Sequence, residues 1–364
     1  MKIREVQIED YIQTKELHEK YNLKILNKIE WSKLWFENPT TFDANSYFPK
    51  GWVIEENKKI VCYLGNLAKE YYYKNKKFIV ACSHSWVAET NYRLEALSLL
   101  ECFFSQKNVD IFTVTTANKV SEKIFKRYNA KKIPLENYQN PMFVVLDMEK
   151  LIYSFFEYKR LPLGKFIRKI IFYTSSIIFY KKLTFWKKIN KSKKVELNKI
   201  IDGEFDKFWH SYKLNFQDKF LQSRTSNWIR WHMQNKIENG KAWIMSVREN
   251  NKILGYAICS ERNNDKIKLR RIALIDLVSL EDNQEVYISL IKDCISEAKE
   301  RGYHIFEIIG FKNLKRKIFS KFQTFNRKLP GFPFYYKPQN KTHDSFLELS
   351  KTWDPSLIDG DSFL

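Results

Sequence analysis

The sequence predicts an α/β (α+β) fold of two tandem domains, each a mixed, mostly antiparallel sheet with helices on both faces. Three observations carry this. Its 364 residues are 44% apolar and 16% aromatic, enough to fill two cores of ordinary size. Segments of period two alternate with segments of helical period along the chain. The order helices, meander, helix, strand, helix occurs twice, which reads as a divergent internal duplication.

In chain order, residues 2–8 alternate and read as a strand, and 10–21 and 31–36 as helices. Residues 52–56, 60–67 and 77–88 form an antiparallel meander, turning at 57–59 and 73–76. Glu89-Thr90-Asn91-Tyr92 is a polar turn, and 93–105 is helical, with Leu97, Leu100 and Phe104 on one face. Residues 110–116 are β-branched and read as a strand, and Asn118 caps a helix running to about 128. Pro134 and Pro141 break the chain. Residues 142–148 then form the last strand of a first domain spanning 1–150.

Residues 151–200 form a basic amphipathic linker, with an apolar, aromatic run at 166–180 followed by clustered lysines. That run falls short of the ~18–20 residues a spanning helix needs. Two readings stand: a helix packed between domains with solvated lysines, or peripheral association with an anionic membrane through 166–194. A second domain spans 201–340, with helices at 204–212 and 224–234, a hairpin of 242–249 with 252–261, and a strand at 266–277. A helix at 285–301, a strand at 304–310 and a basic helix at 313–322 complete it. Residues 341–364 are a tail.

The stretch 84–130 carries the chemistry. After the strand, Arg93-Leu94-Glu95-Ala96-Leu97-Ser98 sets small residues and a cation at a helix start, where unpaired N–H groups and the helix dipole favour an anion. This is the form of a pyrophosphate cradle. The alternative is an ordinary strand–helix–strand–helix segment with no ligand.

These residues resemble motif A of the GNAT acyltransferases, whose pattern is Arg or Gln, two residues, Gly, one residue, Gly or Ala. Here Arg93, Ala96 and Ser98 stand at those positions, so both glycines are replaced. Asn118, Ser121 and Phe125 are similar to the family's motif B, with Phe125 where Tyr is frequent and Asn129 where Gly ends the helix. The stretch from Arg224 to His232 and the ending Asp359-Gly360-Asp361 resemble tandem GNAT-like proteins encoded with bacterial surface-polysaccharide genes, with departures at Thr225 and His232.

The resemblance implies that Trp86 and Val87 offer the backbone N–H that polarises a thioester carbonyl. It implies that Arg93, Leu94, Glu95, Ala96, Leu97 and Ser98 hold the pyrophosphate of acetyl-CoA or another acyl-CoA, and that Asn118 and Ser121 face its pantetheine arm. Candidate catalytic groups are His84 and Glu89 as base and Tyr128 as acid, since Phe125 cannot donate a proton. Strand alternation puts His84 with Trp86 on one face and Val87 with Glu89 on the other. A strand histidine with satisfied partners, a solvated carboxylate and a packing tyrosine are the plainer alternatives. Asp282 and Glu285, at the corresponding turn of the second half, would repel a pyrophosphate.

Composition narrows the rest. Cys62, Cys82, Cys102, Cys259 and Cys294 form no C-x-x-C pair and read as reduced core thiols, with no metal expected. The N-terminus has no signal-peptide core, so a cytoplasmic location is expected, with a peripheral place at the inner membrane face as its extension. The net charge of +21 suits anionic partners, or reflects solvated surface lysine. The expected function is acyl-CoA-dependent N- or O-acyl transfer to a sugar or related small acceptor in surface-polysaccharide biosynthesis. In that setting Trp228, Trp231 and Trp243 are candidates to stack on a sugar ring. Rival readings are an aminoacyl transferase of the peptidoglycan-bridge type using charged tRNA, the one case in which nucleic acid is a partner, and a catalytically decayed binding protein.

Overall fold

In the computed structural model the described residues are 1–41, 47–160, 165–198, 200–327 and 333–361. They build two sheets of matching design. The first runs in the order Lys2–Glu5, Gly51–Glu56, Lys59–Tyr73, Lys76–Ala88, Ile111–Val114, Tyr335–Pro338, Lys131–Lys132. The second runs Val195–Asn198, Ala242–Glu249, Lys252–Glu261, Arg271–Ser279, Ile305–Ile308, Met142–Val145, Phe325–Asn326. In each, the fourth and fifth strands pair in parallel and their other neighbours antiparallel. The duplication read from the element order is therefore a duplication of topology.

The sixth strands are exchanged. Met142–Val145, expected to close the first domain, pairs instead with Ile305–Ile308 of the second sheet, Val145 opposite Ile305. Tyr335–Pro338 comes back to the first sheet, Tyr335 opposite Val114. A short apolar strand specifies extension and burial but not the edge that receives it, so strand pattern alone could not assign the partner. The exchange ties the halves together, as does the antiparallel pairing of Leu221–Gln222 with Tyr71 and Tyr72.

Each sheet is covered on both faces. In the first, Trp31, Leu34, Trp35, Val53, Tyr63 and Leu67 pack beneath the helices Tyr11–Lys20 and Lys28–Phe36. Leu99, Leu100, Phe103, Phe104, Phe112 and Phe125 fill the opposite face, under the helices Leu97–Phe104 and Lys119–Arg127. The hairpin at Asn250 and Asn251 takes left-handed φ at both residues (48° and 64°), the geometry of a tight two-residue turn. The linker contributes the helices Met148–Lys159 and Lys165–Lys188, which pack on each other. Among the described residues no helix is long and apolar enough to cross a membrane.

Candidate active site

The site sits where two parallel strands part. Lys76–Ala88 and Ile111–Val114 pair only from Val80↔Ile111 to Cys82↔Thr113, and beyond this they diverge. In the same place the ladder with Lys59–Tyr73 slips: Tyr63 is opposite Val87, but Gly65 is opposite His84. Between these pairs Leu64 alone faces Ser85 and Trp86, so the strand bulges at Ser85, whose φ is +52°. A bulge leaves a backbone unit outside the ladder and re-aims its neighbours.

This bulge corrects the expected alternation. His84 lies on the face of Val87, its ring 5.7 Å from that of Trp35. Trp86 lies on the other face, its ring 5.9 Å from Phe125 and its indole N–H donating to the Ala96 carbonyl at 3.3 Å. The extra residue reverses the inward and outward order beyond it, which alternation from sequence cannot anticipate.

His84 is held by the tail. Its Nδ1 lies 3.1 Å from Asp361 Oδ2. Asp361 is buried and also accepts from Thr115 Oγ1 at 2.5 Å and Thr116 Oγ1 at 2.9 Å, while its own N–H donates to Thr115 Oγ1 at 3.0 Å. Burial pushes this carboxyl up, but the hydrogen bond and charge of His84, with the two threonines, outweigh it and hold it below the usual range. The ionised Asp361 fixes the ring with Nδ1 as donor and leaves Nε2 as the basic nitrogen. Gly360 permits this approach: a Cβ there would stand 2.6 Å from Thr115 Oγ1. Asp361 was legible only as a family-like ending, because 277 residues separate it from His84.

The rest of the tail is anchored by buried charge. Lys69, fully buried, donates to the carbonyls of Asp359 and Gly360, each at 2.7 Å. Arg224 donates to both oxygens of Asp276 (2.8 and 3.1 Å) and to Asp359 at 3.2 Å. Lys315 donates to Asp354 at 3.0 Å, both buried. The two stretches that resembled the polysaccharide-locus proteins therefore meet, Arg224 on Asp359.

The cradle is more closed than expected. The helix begins at Leu97, preceded by a 3-10 turn Thr90–Tyr92 and further turns. The N–H groups of Ala96, Leu97, Ser98 and Leu99 already donate to the carbonyls of Tyr92, Leu94, Glu95 and Ala96. Helix-forming residues in place of the two glycines let the helical turn run back through the loop. The Ser98 hydroxyl donates to the Glu95 carbonyl at 2.6 Å, and Ala96 is buried. Arg93 and Leu94 are exposed, and one carboxylate oxygen of Glu95 is buried without a partner.

The remaining expected residues are engaged elsewhere. Glu89 accepts from Lys20 and, at 3.2 Å, from the Tyr21 hydroxyl. The hydrogen bond from Lys20 holds its carboxyl below the usual range, which makes it a poor base. With Lys20, Glu56, Lys59 and Tyr92 it lines a shallow polar pocket of about 340 Å³. Tyr128 stacks on Phe104 (4.9 Å) and donates to Glu101 at 2.6 Å, and burial with that carboxylate pushes its phenol up to about 12. Asn118 and Ser121 cap each other: Asn118 Oδ1 accepts from the Ser121 N–H at 3.0 Å, and Ser121 Oγ accepts from the Asn118 N–H at 2.9 Å. Trp228 and Trp243 are core residues, each 2% exposed, because strand and helix packing needed large apolar volumes there. Trp231 donates to the Lys33 carbonyl at 3.1 Å and bridges the halves. Among the described residues no group of acidic, histidine or cysteine side chains is spaced to hold a metal ion.

This architecture is found in solved structures. The fold is the GNAT fold, present twice. A GCN5-related N-acetyltransferase from Anabaena variabilis superposes with a TM-score of 0.58 at 12% identity, covering 93% of this chain and 73% of that one. A probable N-acyltransferase from Enterococcus faecalis gives 0.57 at 10% identity, covering 93% and 72%. Saccharomyces cerevisiae N-myristoyltransferase with bound myristoyl-CoA gives 0.58 at 12%, covering 93% and 78%. No protein-family model and no curated protein sequence matches this chain. At such identities the likeness concerns the fold.

Proposed function

We propose that this chain is an acyltransferase that uses acetyl-CoA or another acyl-CoA to modify an amino or hydroxyl group of a sugar in surface-polysaccharide assembly. The observation that carries acyl transfer is His84, held by an ionised Asp361 where the two parallel strands part. Asp361 bridges the strands there, from His84 to Thr115 and Thr116, and the extended, uncharged pantetheine arm would lie beside it. By the resemblance, a backbone N–H of Trp86 or Val87, next to the Ser85 bulge, would polarise the thioester carbonyl. His84 Nε2 takes the proton of the acceptor amine or hydroxyl as its nitrogen or oxygen bonds to the acyl carbon. The carbon–sulfur bond breaks, and the thiolate leaves and takes up a proton from water. Arg93 is the cation available to the donor's phosphates. Fit at the pyrophosphate is partial, because the N–H groups at 96–99 are occupied and Glu95 brings a like charge.

The sugar acceptor rests on the resemblance of the Arg224 stretch and the Asp359–Asp361 ending to polysaccharide-locus proteins, and on the +21 charge, which suits a nucleotide- or lipid-linked sugar. The occupied cradle favours a second reading, aminoacyl transfer from charged tRNA, whose donor needs no pyrophosphate site. The test is release of free CoA from acetyl-CoA with a panel of amino-sugar acceptors, run beside a charged-tRNA transfer assay. Turnover with a sugar supports the first reading. Transfer from tRNA with no CoA release supports the second.

A further inference from the structure

The two linker helices carry a surface that the acyl-transfer reading leaves unused. Lys165–Lys188 is a 24-residue helix, about 36 Å long at 1.5 Å per residue. One side is anchored on the second sheet: Phe179 meets Phe325 edge-on at 5.5 Å, Lys182 lies 4.3 Å over the same ring, and Trp186 is buried in the core. The opposite side is open. Ile170, Tyr173, Ile177 and Tyr180 recur at three- and four-residue spacing and so form one stripe. They are 48%, 63%, 75% and 64% exposed, and Ile178 beside them is 72% exposed. On the neighbouring helix Met148–Lys159, Phe155 and Tyr158 are also exposed. A patch of large aliphatic and aromatic side chains of this kind marks an interaction site.

Charge identifies the occupant. From Tyr158 to Val195 the sequence holds twelve Lys and Arg and no Asp or Glu. Lys181 and Lys188 lie on the stripe's own side of the helix, and both are exposed. A nucleic acid would use the cations and the aromatics but leave exposed Ile177 and Ile178 facing phosphates. An acidic protein groove would bury the isoleucines but would not call for cations along 38 residues. A lipid surface takes both: apolar side chains enter the acyl boundary, tyrosines sit at headgroup level, and lysines reach anionic headgroups. We infer that the Lys165–Lys188 helix lies in the plane of an anionic membrane, with Ile170, Tyr173, Ile177 and Tyr180 inserted and the sheets held above. This attachment is independent of the acyl-transfer chemistry.

The test is sedimentation of the full chain with vesicles of phosphatidylcholine alone, or with 30% phosphatidylglycerol. Binding is expected to the anionic vesicles only, falling steeply between 50 and 300 mM salt. Ile177→Glu with Tyr173→Glu should weaken it at least tenfold, and Lys181→Glu with Lys188→Glu several-fold, with circular dichroism and free-CoA release unchanged. Equal binding to both vesicle types, or no binding at low salt, would overturn the inference. So would concentration-dependent dimerisation in ultracentrifugation that Ile177→Glu abolishes, since the stripe would then be an interface between two copies.

Discussion

His84 Nδ1 and Asp361 Oδ2 lie 3.1 Å apart, a contact between a strand of the first sheet and a tail strapped to the second half. The pairing makes the tail part of the candidate active site and couples its chemistry to the joining of the two halves.

His84→Ala should lower acyl transfer by about 10²–10⁴-fold, the range for loss of a general base. Asp361→Asn should lower it by about tenfold or more, since the ring loses its anionic partner. A Glu89→Gln variant measured in parallel should alter the rate far less. Equal losses from Asp361→Asn and Glu89→Gln would count against the assignment.

Arg93→Glu should abolish acetyl-CoA binding by calorimetry, while a charge reversal at exposed Lys317 should leave it intact. Lys315, which sequence reasoning would select as a surface control, is buried against Asp354 and would unfold the comparison. Glu95→Gln should tighten acetyl-CoA binding by about tenfold, roughly 1.4 kcal/mol, because it removes a negative charge from the segment proposed to hold the phosphates. Unchanged affinity would mean that the phosphates bind elsewhere.

Asp354→Ala leaves Lys315 buried without its partner and should cost about 3–5 kcal/mol in urea unfolding. Gly360→Ala should cost less in stability but sharply reduce transfer, because the added Cβ pushes the tail off Thr115 and breaks the His84 contact. A Gly360→Ala variant with full activity would show that the tail does not need that approach.

His18 sets an acid limit on stability. Burial lowers its pKa to about 4, against a hydrogen bond with the Thr14 carbonyl at 2.7 Å that raises it. The folded state thus disfavours the charged ring. Its stabilising share is complete above pH ~6.5 and declines as pH falls from there to about 4, by about 3 kcal/mol in all. Urea unfolding between pH 7 and 4 should show that slope, and His18→Gln should flatten it.

The sequence by itself determined most of the elements and their order, though not the strands Val195–Asn198, Leu221–Gln222 and Tyr335–Pro338. Period and turn chemistry placed both hairpin strands Ala242–Glu249 and Lys252–Glu261 and the Asn118-capped helix, because these signals are local. It also singled out Arg224 and Asp359–Asp361, without showing that they touch. The tertiary structure alone decided three things: that Met142–Val145 and Tyr335–Pro338 exchange sheets, that the Ser85 bulge sets His84 and Trp86 on opposite faces, and that Asp361 reaches His84. The physical reason is common to all three. Strand partners, register slips and buried ion pairs depend on contacts between residues far apart in the chain, and neither period nor propensity encodes such contacts.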